Sequence, residues 1–286
     1  MILRGLRDIA ASYDAFLVDL WGVVHDGKAP FPGVMEVLRE LASAGRRVVF
    51  LTNTSRASAR VVEALEAMGI GRDLFEAVIS SGDVTRAALL AEDPALFARL
   101  PAAPRVLHVG EASFVPWLFE LGHRFVEEVG DADLVVATGA PKDEAALLLT
   151  RAQLEPAAMR DLPLVCTNPD RVIPTAQGLT LGPGAVAALY AELGGRTFLY
   201  GKPHPPIYAA ARRQLGEVPP TRVLAVGDLL ATDIRGAREA GMRSALVLAT
   251  GGHAAALGPA PSVAAIDALC MEAGVTPDFV LDRLAW

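Results

Sequence analysis

Four short apolar runs in this chain lead into polar residues of chemically useful types. Phe16-Leu17-Val18 runs into Asp19, and Val48-Val49-Phe50-Leu51 into Thr52. Phe198-Leu199-Tyr200 leads to Gly201-Lys202-Pro203, and Val223-Leu224-Ala225-Val226 to Gly227-Asp228, with Asp233 shortly after. A carboxylate such as Asp19 is one of the few side chains that can attack phosphorus and carry a covalent intermediate. A phosphate holds its charge on peripheral oxygens. It therefore asks for hydroxyl and amide donors, which Thr52 and the amides at Asn53 and Thr54, opening a helix, can supply. It also asks for a compact cation. Lys202 is one of only three lysines, at 28, 142 and 202, in a chain that otherwise uses arginine. Mg²⁺ takes near-octahedral oxygen ligands, often one or two carboxylates plus water and phosphate. Asp19 and Asp228 can provide them, with Asp233 direct or through water. Such an ion lets an anionic carboxylate approach an anionic phosphate. The set suits phosphoryl transfer.

Taken singly, each feature has a plainer explanation. Asp often ends a strand and opens a turn, Thr52-Asn53-Thr54 can cap a helix, most lysines are solvated, and Asp228 and Asp233 can cap the next helix. The joint placement carries the argument. In open α/β sheets, ligands sit outside the carboxyl ends of the strands, and all four groups fall there.

The elements that would hold them follow from periodicity. Residues 2–13 read as a short entry helix before the strand ending at Asp19. Residues 21–32 form a loop punctuated by Gly and Pro, a flap over the strand end. Val34, Val37, Leu38 and Leu41 recur at helical spacing, and Gly45 ends that helix. The strand 47–51 follows, then a helix over 56–68 capped by Thr54 or Ser55, then a strand over 77–81. This βαβαβ order implies a parallel sheet with right-handed crossovers. After Gly82 the pattern restarts. Strands at 106–109, 134–137 and 164–166 are separated by helical patterns, and Pro169, Pro174, Gly178, Gly182, Pro183 and Gly184 make a loop-rich return. A helix over 185–193 and a strand over 197–200 then resume the first pattern. A helix over 206–215, the strand at 222–226, a helix at 233–240, a strand at 244–249 and a helix at 262–273 complete it. Residues 1–82 and 182–286 are thus expected to form one discontinuous α/β domain, with 83–181 inserted as a smaller α/β domain.

Composition narrows the partners. The net charge is −7 and no Lys/Arg block forms a stripe, which argues against nucleic acid. No apolar run approaches the ~20 residues of a membrane span. The N-terminus lacks the apolar run of a signal peptide, so a cytoplasmic protein is expected. Cys166 and Cys270 lie in apolar patterns and read as buried free thiols.

The segments Val18-Asp19-Leu20-Trp21-Gly22-Val23, Leu51-Thr52-Asn53-Thr54-Ser55, Gly201-Lys202-Pro203 and Val226-Gly227-Asp228 with Asp233 resemble the four motifs of the haloacid dehalogenase-like superfamily. The insertion, with Cys166-Thr167-Asn168-Pro169-Asp170 and Gly182-Pro183-Gly184-Ala185, resembles that of the class IIA, NagD-like subgroup. The resemblance spans about residues 14 to 250 and implies a Rossmann-like core with a C2-type α/β cap. It also implies Mg²⁺ and hydrolysis of a small phosphorylated metabolite, such as a sugar phosphate, through an aspartyl-phosphate. It implies that the Trp21 backbone carbonyl joins the metal ligands, and that a homodimer forms through the cap.

One departure stands out. Phosphatases of this family carry Asp two residues after the nucleophile, as acid for the leaving group and base for water. Here that position is Trp21, and indole cannot shuttle a proton this way. A positioned acid/base is worth roughly 10²–10⁴ in rate. Two alternatives follow: a degenerate protein that binds a phosphorylated ligand without efficient turnover, and a phosphotransferase or C–P-cleaving enzyme. His25, on the flap, is the candidate substitute acid/base, although turn chemistry is the favoured account of His25-Asp26. Asn168 and Asp170 are candidate substrate contacts within a Pro-containing turn. Trp117, Phe114 and Phe119 read as core of the inserted domain, and His204 as a loop or cap residue.

Overall fold

The computed structural model describes residues 2–175 and 178–286. The chain divides into two compact units.

The first unit comprises the chain up to Thr52, Ala59–Ile79 and Lys202–Trp286. Its seven-stranded sheet runs Ile2–Leu3, Phe279–Leu281, Arg243–Val247, Val223–Gly227, Ala15–Val18, Arg47–Thr52, Ala77–Ser80. Ala15–Val18 lies inside it and pairs in parallel with Arg47–Thr52 on one side and Val223–Gly227 on the other. From Ala15–Val18 the chain builds outward to Ala77–Ser80, then returns to the opposite side of its first strand at Val223–Gly227. That reversal is a topological switch point, where doubly wound sheets bind ligands. Asp19 and Asp228 are the residues that leave the two strands at it.

These runs become strands because both faces of the sheet are covered. Ala245 and Val247 enter one apolar cluster with Phe16, Val18, Phe50 and Val226, while Leu246 and Leu248 enter another with Leu230, Ile234 and Ile266. This is the two-residue alternation of a strand buried on both sides. The helix Val34–Ser43 lays Val34, Val37, Leu38 and Leu41, all fully buried, onto the first cluster.

The second unit comprises Asn53–Ser58 and Ser80–Gly201. Its five-stranded parallel sheet runs Arg196–Leu199, Pro163–Cys166, Leu134–Ala137, Arg105–Val109, Arg124–Val126. It too is doubly wound, with its reversal between Arg105–Val109 and Leu134–Ala137. There the loops close on each other: the Thr138 and Gly139 amides both donate to the Val109 carbonyl, at 2.9 and 3.3 Å. A Cβ on Gly110 would lie 2.5 Å from Thr138 Oγ1, so glycine is required for the approach.

Several details differ from expectation. The helix Pro183–Glu192 and strand Arg196–Leu199 belong to the second unit, not the first. The strand pairs with Pro163–Cys166, and buried Tyr190 donates from its hydroxyl to the Leu162 carbonyl at 2.8 Å. A short apolar strand ahead of Gly-Lys-Pro reads the same in either sheet, so periodicity put the boundary too early. The expected loop-rich return contains an antiparallel ribbon, Val172–Thr175 with Gly178–Leu181. The entry helix shrinks to Arg7–Ala10, because Ile2–Leu3 add to the sheet edge beside Val280–Leu281. That partner, Phe279–Leu281, is too short to announce itself in the sequence. The helix expected over 56–68 spans Ser58–Ala67; Asp83 accepts from the Ser58 amide at 2.9 Å, and Thr54 Oγ1 from the Arg56 amide at 3.4 Å. Trp117 is buried in the second unit's core, whereas Phe114 and Phe119 are 45% and 39% exposed. Phe114 lies under the Arg56 guanidinium, 4.9 Å from its centroid. Both cysteines are buried and free. Among the described residues no helix is long and apolar enough to cross a membrane.

Candidate active site

Asp19 leaves its strand with its amide donating to the Val226 carbonyl at 2.9 Å, which fixes it against the neighbouring strand. Asp228 follows Val223–Gly227 directly. Asp233 sits on a π-helical turn, Leu230–Ile234. Such wide turns recur at functional sites because they re-aim one residue. A Cβ on Gly227 would lie 2.2 Å from Asp233 Cβ, so only glycine lets the turn fold back over the strand end. Ligand oxygens of Asp19, Asp228 and Asp233 lie within 4.8 Å of one another, and all three residues are buried.

Lys202 enters this cluster from its own loop. Its Nζ donates to Asp19 Oδ1 and Asp233 Oδ1, both at 2.6 Å, and the residue is 4% exposed. The second oxygen of Asp233 accepts from the Leu229 amide at 3.2 Å, and that of Asp228 from the Gly252 amide at 2.6 Å. Among the described residues the cluster therefore holds three buried carboxylates against one ammonium. Burial pushes the Asp19 carboxyl up to about 7 against the pull of Lys202, with the Asp233 charge adding to the rise. Asp228 is raised well above the ordinary carboxyl value by burial, then by the charges of Asp19 and Asp233. Burial alone would lower the Lys202 ammonium, yet Asp19 and Asp233 hold it well above the usual lysine value. A buried site with two surplus negative charges is unfavourable unless a cation joins it.

The donor set fits a hard divalent cation: carboxylate oxygens, and the Trp21 carbonyl, which accepts no hydrogen bond among the described residues. Trp21 begins a tight loop. Gly22 turns at φ +80°, its amide donates to the His25 carbonyl at 3.1 Å, and the Trp21 indole lies over Gly27, which a Cβ would push into the ring. The indole is 38% exposed.

His25 is half-buried, with its ring edge-on to Trp21 at 6.0 Å between centroids. Its Nδ1 accepts from the Gly27 amide at 3.0 Å, and burial lowers its pKa, so the ring is neutral near pH 7. These contacts are those of a turn residue. Asp26 accepts from the Lys28 and Ala29 amides and shapes the same turn. His204 occupies the N-cap position of the helix Pro205–Leu215, with no side-chain cap bond.

Thr52 ends its strand two residues beyond Phe50, the partner of Val18, and so lies at the same sheet edge as Asp19. In the second unit, Asn53 Nδ2 donates to Asp170 Oδ1 at 2.9 Å, and the Asp170 amide donates to Asn168 Oδ1 at 2.9 Å. Asn53, Asn168 and Asp170 are therefore brought together, with Asn168 folding its own turn. Ser55 is buried and bonds the Thr138 carbonyl and Thr167 Oγ1.

Sequence reasoning missed three contributors. The Tyr208 hydroxyl approaches the Asp233 carbonyl at 3.3 Å, Thr250 Oγ1 donates to the Gly22 carbonyl at 2.6 Å, and His253 Nε2 accepts from the Leu230 amide at 3.2 Å. For the last two the signal was available: Thr250-Gly251-Gly252-His253 follows another strand end, Arg243–Val247. Tyr208 lies mid-helix and gave none.

Comparison with known proteins agrees with this geometry. Models of haloacid dehalogenase-like hydrolases match residues 16–124 and 101–241, and a related one residues 199–286. Chronophin of Rattus norvegicus is 34% identical over 259 residues, 86% of this chain and 80% of that protein. A haloacid dehalogenase-like hydrolase from Brucella suis superposes with a TM-score of 0.82 at 32% identity, covering 99% of this chain and all of the other. The glycerol phosphate phosphatase of Mycobacterium tuberculosis, solved with magnesium, gives a TM-score of 0.65 at 30% identity, over 95% of this chain and 76% of that one. With four strand ends, one buried charge cluster and these relatives in agreement, the chain belongs to the haloacid dehalogenase-like hydrolases, in their NagD-like class IIA group, and is a phosphoric monoester hydrolase.

Proposed function

We propose that this protein is a Mg²⁺-dependent phosphatase of a small phosphorylated metabolite, a sugar or polyol phosphate in the first instance, with Asp19 as nucleophile. The observation that carries it is the buried cluster of Asp19, Asp228 and Asp233 with the Lys202 ammonium bonded to two of them. Asp19, Asp228, Asp233 and the Trp21 carbonyl would hold Mg²⁺, whose chemistry there is to offset the charge of carboxylate and phosphate as they meet. Lys202, bonded to Oδ1, favours the ionised form of Asp19 against the opposing effect of burial, and Oδ2 is proposed to attack. Asp19 forms an O–P bond, the ester P–O bond breaks, and the leaving oxygen takes up a proton. Water then attacks the phosphorus of the aspartyl-phosphate, loses a proton, and returns Asp19 as carboxylate with inorganic phosphate. The Thr52 hydroxyl is proposed to donate to the phosphate. The amides at Asn53 and Thr54, and the side chains of Asn168 and Asp170, are proposed as further substrate contacts.

Trp21 supplies no proton relay to either half-reaction. Slow breakdown of the aspartyl-phosphate is the expected consequence, with His25 the proposed substitute acid/base. Turnover of a panel of phosphate esters by purified protein with Mg²⁺ tests the reading. Ligand-induced stabilisation without phosphate release would instead support the degenerate binding protein, and aldehyde released with phosphate the C–P-cleaving enzyme.

What supports a homodimer through the second unit is the outer face of the helix Glu144–Met159. Ala145, Leu148, Ala152, Pro156 and Met159 are exposed there at helical spacing, with Leu149 beside them. Solvent-exposed apolar stripes of this kind mark interaction sites.

A further inference from the structure

The segment after the strand Arg243–Val247 bonds Asp228, the loop that follows Asp19 and the turn that carries Asp233, without contributing a carboxylate to the cluster. Thr250 Oγ1 donates to the Gly22 carbonyl at 2.6 Å. Gly252, two residues on, donates its amide to Asp228 Oδ2 at 2.6 Å. Between them, Gly251 packs so closely that a Cβ there would lie 2.2 Å from Asp228 Cβ, and one on Gly22 would lie 3.1 Å from Gly251 Cα. His253 completes the contact by accepting the Leu230 amide, at the start of the turn that carries Asp233.

The geometry bears on the Trp21 carbonyl. That carbonyl belongs to the peptide joining Trp21 to Gly22. The N–H of this peptide is tied to the His25 carbonyl at 3.1 Å. The next carbonyl along, that of Gly22, is tied to Thr250. Gly22 sits at φ +80°, where nothing intrinsic to glycine holds a single conformation. Two hydrogen bonds therefore fix the direction of the Trp21 carbonyl, and one of them comes from the same short segment that orients Asp228. Partners behind a ligand set its orientation, and losing one typically costs 10–100-fold in metal affinity.

We infer that Thr250 is a positioning residue: by joining Gly22 while its neighbour Gly252 holds Asp228, it sets the Trp21 carbonyl and the Asp228 carboxylate in the mutual geometry that a divalent cation requires. This rests on the metal assignment made above. The Thr250 hydroxyl is engaged with the Gly22 carbonyl, so its effect should reach the metal and leave substrate affinity alone.

The test uses the full chain as Thr250→Val, which keeps shape and removes the hydroxyl, and Thr250→Ser, which keeps the hydroxyl. Mg²⁺-dependent thermal stabilisation is followed for each, without substrate, and then kcat and KM for an aryl phosphate across Mg²⁺ concentrations. The expected result for Thr250→Val is a Mg²⁺ midpoint raised on the order of 10-fold or more in both assays, KM at saturating Mg²⁺ within about 2-fold of the parent, and recovery in Thr250→Ser. A Thr250→Val midpoint equal to the parent's overturns the inference, as does a loss that Thr250→Ser shares. Should Thr250→Val not fold, Thr250→Ser together with Thr250→Ala carries the same comparison. A parent that Mg²⁺ neither stabilises nor activates refutes the metal assignment itself, a failure separate from that of Thr250.

Discussion

Replacing Lys202 by Met removes the cation that bonds Asp19 and Asp233 while keeping a side chain of similar reach. Two N–O contacts of 2.6 Å are lost from a site where Lys202 is 4% exposed. At an effective dielectric constant of ~20, one such pair is worth ~6 kcal/mol before desolvation. Burying the ammonium takes several kcal/mol back, and removing one partner from a buried pair costs ~3–5 kcal/mol net. For a unit of this size that is a fall in melting temperature of ~6–20 °C. The loss must depend on pH. Asp19 has a folded-state pKa raised to about 7, above its unfolded value. A carboxyl raised in this way contributes most at low pH, and its contribution is lost as pH rises from about 4 through about 7. Removing Lys202 raises it further, so the variant's deficit should be small at pH 5 and largest at pH 8. Thermal and urea unfolding of metal-free parent and Lys202→Met at both pH values measures this. A deficit under ~1 kcal/mol at pH 8, or one equal at pH 5 and pH 8, would refute the charge balance drawn for the cluster.

Mg²⁺ binding should weaken as pH falls below about 7, by up to ~10-fold per unit for each proton displaced, because Asp19 holds a proton there until metal arrives and the raised Asp228 carboxyl acts in the same direction; Mg²⁺ titrations of the melting temperature at pH 5.5, 6.5 and 7.5 check it, and a constant midpoint would contradict it. With Trp21 in place, aryl phosphates should give a burst and then a slow steady state, and Trp21→Asp should raise the steady rate by up to ~10²–10⁴. The indole is 38% exposed, so this substitution should cost well under the ~3–5 kcal/mol of a buried tryptophan. His25→Ala in both backgrounds assigns the proton relay: a rate loss confined to the parent gives it to His25, and no loss in either leaves His25 a turn residue. Leu148→Asp should turn a dimer into monomer by light scattering without altering kcat; an unchanged mass for parent and variant argues against that surface.

Much of this site was legible in the sequence, because a parallel sheet buried on both faces forces its strands into short apolar runs that end abruptly. Asp19, Thr52, Asp228 and Lys202 each follow such a run, and the fold gathers Asp19, Asp228, Asp233 and Lys202 into one buried cluster, with Thr52 ending the strand beside that of Asp19. The division of the chain was less legible. Arg196–Leu199 is as good a strand for one sheet as for the other, and only its pairing with Pro163–Cys166 decides. Hydrogen bonds from loops left little trace. Thr250 to Gly22, and Asp83 to the Ser58 amide, join residues far apart in sequence with no period to reveal them. Trp21 shows a further limit. Its type announced that a carboxylate was missing, but that the indole would lie over Gly27 was visible only in the folded loop.

The most direct test of the account is to trap the aspartyl-phosphate. Protein mixed with an aryl phosphate and Mg²⁺ is quenched in acid within the burst, reduced with borohydride and digested for peptide mass spectrometry. The expected result is homoserine at position 19, present only with substrate and absent from Asp19→Asn, which should also lose activity. Steady turnover with Asp19 unmodified, or an Asp19→Asn variant within about tenfold of the parent rate, would contradict the claim that Asp19 is the nucleophile.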